Sequence, residues 1–156
     1  MDTLAITFKM DRRVDRIVTP LSVQQAEDYC RTQNFDYVKF DVRAMWDTGS
    51  TGCCISQNLA DSLGLISIAS LDLVSAHGSK PSDVYILDIL MPDGVLVKNV
   101  LAAEIVPSGD FDMIIGMNII SLGDFAISSD NGKTVMSFRL PASNIPVDFS
   151  NPEVFL

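Results

Sequence analysis

The sequence predicts an all-β domain with one or two short helices. Three observations carry this. The apolar residues fall in short runs, the runs favour Val, Ile and Phe, and clusters of Gly, Pro, Asn and Asp punctuate them. Branched and aromatic side chains suit a pleated, half-buried surface. Strands are expected at 4–9, 16–22, 38–46, 71–77, 84–91, 95–105, 112–115, 124–128 and 134–139. Turns are expected at Pro92-Asp93-Gly94, Pro107-Ser108-Gly109-Asp110 and Asp130-Asn131-Gly132. In the last, Asn-Gly leads into Lys133-Thr134-Val135, which is the signature of a tight hairpin.

Two short helices interrupt the strands. Ser56 is placed to cap a helix over 57–63, with Leu59 and Leu63 on one face and Gly64 ending it. A second is expected over about 118–122, between Gly116 and Gly123. In the polar segment 22–35, Ser22 and Gln25 would form a capping box if it were helical. Its composition equally suits a long surface loop, the reading favoured here.

A chain of 156 residues fits one domain, 1–156, and can bury a core without metals or disulfides. Its 47% hydrophobic and 20% charged residues argue against long disorder. The net charge of −9 would repel phosphates, so neither nucleic acid nor a membrane surface is an expected partner. Cys30, Cys53 and Cys54 lack the spacing of a disulfide framework, and a bridge between adjacent cysteines would be strained. Reduced thiols and a cytoplasmic setting are expected. His77 is the only histidine, so no Cys/His metal-ligand spacing exists; no metal or cofactor is expected. The first sixteen residues hold no apolar stretch long enough for a signal peptide or a span.

The chemistry is concentrated in Ala44-Met45-Trp46-Asp47-Thr48-Gly49-Ser50-Thr51-Gly52. An apolar strand runs straight into an acid, a hydroxyl residue and a glycine. Gly49 lets the chain turn sharply and bring backbone N–H groups to the carboxylate, which favours its ionised form. Thr48 supplies a hydroxyl to anchor the loop, and Ser50 another for the outer carboxylate oxygen. An acid is thereby held at a strand end and aimed into a cleft.

The stretch Ala44–Leu65 resembles the active-site region of retropepsin-like aspartic proteases, where an apolar strand leads to Asp-Thr/Ser-Gly. Some sixty-five residues on, Asp112-Met113-Ile114-Ile115-Gly116-Met117-Asn118 resembles the family's second landmark, two apolar residues and a glycine packed beneath the active loop. The tail Gly123-Asp124-Phe125-Ala126-Ile127 and Gly132-Lys133-Thr134-Val135 continues the likeness, which covers roughly residues 36–140. It implies a closed β-barrel of the acid-protease-half type, with Asp47 as catalytic carboxylate and Thr48, Gly49 and Ser50 supporting its loop. Ile114, Ile115 and Gly116 would form the packing signature. Ala76, His77, Gly78 and Ser79 fall where the family carries a flap, with Gly78 giving it freedom to move. His77 itself reads as a flap or surface residue rather than a base.

Position 50 is Ser where many retropepsins carry Ala. A hydroxyl on the carboxylate implies a more acidic optimum than a Ser50→Ala variant would show. Asn118 stands where many bacterial relatives have Asp. The mechanism the family implies needs two carboxylates sharing a proton, and this chain has one Asp-Thr-Gly. A homodimer acting on peptide or protein substrates follows, with Thr48 of each copy meeting at the two-fold axis. By the same resemblance the apolar residues from Phe149 to Leu156 would pair at the interface. A catalytically silent fold serving dimerisation or peptide binding is the alternative. Of the other acids, Asp41, Asp110, Asp112 and Asp124 read as strand-end or turn carboxylates, and Asp83 and Asp88 as outward-facing. Met10, Met45, Met91, Met113, Met117 and Met136 read as core, and Trp46 as packing or interface.

Overall fold

A computed structural model describes residues 4–28, 37–75 and 78–150. Among the elements bounded within the described residues, ten strands and two α-helices follow one another: β1 (Leu4–Lys9), β2 (Ile17–Gln25), β3 (Lys39–Trp46), β4 (Cys53–Ser56), α1 (Gln57–Ser62), β5 (Ala69–Ser75), β6 (Gly78–Leu90), β7 (Leu96–Ile105), β8 (Met113–Ile115), α2 (Met117–Ile120), β9 (Asp124–Asp130) and β10 (Lys133–Leu140). The all-β reading holds, and each expected strand exists.

Six strands close a barrel in the order β2-β3-β8-β4-β7-β6, with β2 pairing back onto β6 from Ser22↔Leu90 to Gln25↔Leu87. β5 extends the sheet beyond β6 as a hairpin arm. A second, three-stranded sheet, β1-β10-β9, covers one flank. Its tight turn is the expected one: Asp130 pairs with Lys133, and Asn131 and Gly132 take φ of 50° and 78°. Ile55, Leu63, Leu87, Ile89, Met113, Ile115 and Met136 fill the interior.

The helix caps follow the local code. Ser56 Oγ accepts the Leu59 N–H at 3.2 Å, and Gly64 adopts φ of +62° just past the end of α1. β6 starts at Gly78, earlier than its apolar run suggests, and carries Pro81. It is tolerated there because β6 has only β5 beside it before Val84, where β7 joins.

Three expectations are corrected. Ser22–Gln25 is neither loop nor helix but the end of β2, because barrel closure pairs all four with β6 and Ser22–Gln24 with β3 as well. Asp88 faces inward and is fully buried. The β6–β7 register shifts between Leu87 and Ile89, and the Asp88 carboxylate accepts the N–H groups of Glu27 and Asn99 at 2.9 and 2.8 Å. Met117 is exposed rather than core, on the outer face of α2. Asp83 is exposed as expected. No described helix is long and apolar enough to cross a membrane.

Candidate active site

The site follows from a crossing. β3 and β8 run parallel, so Trp46 and Ile115 reach the same end of the barrel together. β8 is inserted between β3 and β4, and the chain from 47 to 52 must arch over its end to reach β4. That arch is the Asp-Thr-Gly loop.

Each part of the arch is tied down. Asp47 N–H extends the ladder to Ile115 C=O at 3.0 Å, and Ser50 N–H turns back to Asp47 C=O at 3.2 Å. Asp47 Oδ1 accepts the Gly49 N–H at 2.8 Å. From the other side, Met117 N–H donates to Ser50 C=O at 2.8 Å and Asn118 N–H to Thr51 C=O at 3.1 Å. These N–H groups lie in the first turn of α2, where no helical carbonyl can take them. Gly116 allows the closeness: a Cβ there would stand 2.2 Å from the Gly52 carbonyl oxygen.

Thus Asp47, Thr48, Gly49 and Ser50 and the segment Ile114, Ile115 and Gly116 converge on one loop. Ile115 and Gly116 are buried beneath it, Ile114 is half-buried, and Asp47 is half-buried at the rim with Thr48 and Gly49 exposed. Trp46 points the opposite way, into the core. Ser50 departs from expectation. Its hydroxyl donates to the Gly52 carbonyl at 2.7 Å, so it braces the loop and does not bind the carboxylate. Gly78 and Ser79 open β6 opposite the end of β5, whereas Ala76 and His77, expected at the flap tip, lie outside the described residues. Phe149 is described and exposed, and 151–156 are not described.

Beside the loop lies a pocket of about 230 Å³ that sequence reasoning did not foresee. Its walls are Leu71 and Leu73 of the β5 arm, Val84, Leu101, Ala103 and Cys54, with Ser50–Gly52 and Asn118 at the loop end. The signal was present as alternation, Leu71/Leu73 and Leu101/Ala103, but only the topology shows which faces meet. Cys53 and Cys54 are free thiols. Burial pushes Cys53 up to about 11, and burial raises Cys54 as well, the charge on Asp47 adding to the rise. Neither is a thiolate nucleophile. Among the described residues no cluster of three or more His, Cys, Asp or Glu is placed to hold a metal.

The arrangement presents a half-buried carboxylate with backbone support, on a loop whose next residues, Ser50–Gly52, line an apolar recess. A carboxylate so held can give or take a proton. The aspartyl protease family matches residues 36–119 of the chain. Among solved structures, a retropepsin-like aspartic protease from Rickettsia conorii aligns over 88% of this chain and 95% of its own, with a TM-score of 0.54 and 14% identity. The protease of simian foamy virus (mac) aligns over 66% of this chain and 92% of its own, with a TM-score of 0.42 and 18% identity. Of curated proteins, none matches. At such identity the Rickettsia likeness concerns the fold, a closed barrel of the retropepsin type.

Proposed function

This chain belongs to the aspartyl protease family, and we propose that it is an endopeptidase whose site is completed by a second copy, pairing Asp47 with the partner's Asp47. The observation that supports this most is the Asp47 loop itself: a half-buried carboxylate fixed by Gly49, Ile115 and α2 beside an apolar recess. One such loop per 156 residues supplies one carboxylate, and the chemistry needs two.

Two carboxyls at one axis cannot both ionise cheaply, so they share a proton. The ionised one takes a proton from the water between them as that water adds to the scissile carbonyl. The protonated one donates to the carbonyl oxygen, giving a neutral gem-diol. On collapse the protonated carboxyl gives its proton to the leaving nitrogen, the other takes one from a diol hydroxyl, the C–N bond breaks, and the dyad is restored with no covalent intermediate. The substrate would lie extended between the loop and the β5–β6 hairpin, held by strand-like pairing, with one side chain in the recess.

The test compares wild type with Asp47→Asn on a diverse peptide library from about pH 3.5 to 7, read by mass spectrometry. Wild type should cleave, and the variant should lose at least about 100-fold in turnover. A statine-type transition-state analogue should block cleavage. On dilution below the dimer dissociation constant, specific activity should fall in proportion to concentration. A folded dimer without cleavage at any pH would overturn the peptidase reading and leave a binding module.

A further inference from the structure

Trp46 is the only tryptophan of the chain, and it immediately precedes Asp47. Its burial alone would make it a core residue. Three contacts make it more specific than that. Nε1–H donates at 2.9 Å to Thr19 Oγ1, a hydroxyl on β2 that is 1% exposed. The ring stacks on Phe125 of β9, with centroids 5.6 Å apart and planes inclined by 18°. It meets Phe138 of β10 at 5.1 Å and 55°. Its backbone is flanked by Ile17 on one side and Ile115 on the other.

The indole is therefore locked in the direction of its N–H and in the tilt of its plane, by a buried acceptor and by two rings of the other sheet. A side chain so fixed restricts the backbone that bears it, and the next residue along that backbone is Asp47. Among the described residues the small sheet shares no ladder with the barrel, yet its two rings press on the strand that delivers the carboxylate. We propose that Trp46 is a positioning residue, coupling the packing of the β1-β10-β9 sheet to the placement of Asp47; its catalytic consequence rests on the reading of Asp47 as the reacting carboxylate.

The decisive variant is Phe125→Leu, which removes the stacked ring from a half-buried position and leaves Trp46 and Asp47 in place. Leu63→Ala, a buried residue beside α1, is the destabilising control. Amide hydrogen exchange is followed at Asp47 and Ser50, whose N–H groups hold the loop, against the β6–β7 ladder. Phe125→Leu should speed exchange of the two loop amides about tenfold relative to the ladder, and Leu63→Ala should leave that ratio unchanged. In turnover, Phe125→Leu should lower kcat up to about tenfold with KM within about twofold. Trp46→Phe, which keeps a ring, should retain more kcat than Trp46→Leu. Uniform acceleration of exchange in both variants, or wild-type kcat per folded Phe125→Leu molecule, would overturn the coupling. Absence of turnover in wild type would count against the peptidase reading alone, because the exchange ratio still decides the coupling.

Discussion

The Ser50 hydroxyl lies two residues from the carbonyl it binds, and this local choice changes what the residue contributes. A hydroxyl on the Asp47 carboxylate would favour its ionised form. A hydroxyl on the Gly52 carbonyl instead stiffens the arch. Ser50→Ala should therefore cost about 1 kcal/mol of stability while the pH–rate profile stays that of wild type. A displaced acid limb in the variant would show that the hydroxyl reaches the carboxylate after all. The neighbouring thiols sharpen the assignment of roles. Burial raises both, Cys53 up to about 11, which disfavours their thiolate forms.

At the scale of elements, the junction of β8 and α2 decides whether the loop exists at all. Gly116 has an extended backbone that any residue can adopt, so its necessity is one of space. A Cβ there would lie 2.2 Å from the oxygen and 2.5 Å from the carbon of the Gly52 carbonyl, and backbone cannot swing aside as a side chain does. Gly116→Ala should cost about 3 kcal/mol and lose turnover even at temperatures where the variant is folded. Melting and activity measured on the same sample separate the two, and a folded, fully active variant would refute the crossing as the site's foundation. What was legible in the sequence follows the range of the interaction. Ser56, Gly64 and Asn131-Gly132 act within four residues, and each does what its chemistry dictates. In the Asp-Thr-Gly loop the Gly49 N–H on Asp47 Oδ1 is equally local, whereas the tethers to Ile115, Met117 and Asn118 are not. β4 is missing from the strands read from residue pattern because Cys53–Ser56 is buried on all four residues and shows no alternation. Asp88 and Ser22–Gln25 misled for the complementary reason. Their polarity is satisfied by donors and strands distant in sequence, as when Gln25 Nε2 donates to Leu63 C=O at 2.7 Å.

For the whole molecule, the question is whether the small sheet keeps its closure in mild acid, where the proposed shared-proton dyad would work. Within the small sheet, Asp124 at the start of β9 ties that strand to β10 and to the segment that follows. Its carboxylate accepts the Ser143 N–H at 2.7 Å and Arg139 Nε–H at 2.9 Å, closing the C-terminal segment over β10. The Ser143 N–H foremost, then the Arg139 guanidinium, hold this carboxyl below its ordinary 3.8. An acid whose folded value is depressed stabilises the fold fully above the unfolded value, and that contribution fades as pH falls through the folded one. Wild type should thus melt higher than Asp124→Asn from neutral pH down to about 4, and the gap should close below that. Because Phe125 and Phe138 of the same sheet bear on Trp46, the placement of Asp47 should loosen over the same interval. Melting curves of both proteins from pH 6 to 2, with exchange of the Asp47 amide followed alongside, provide the check. A gap independent of pH would mean that Asp124 acts as a neutral hydrogen-bond acceptor, and that the fold's acid limit is set elsewhere.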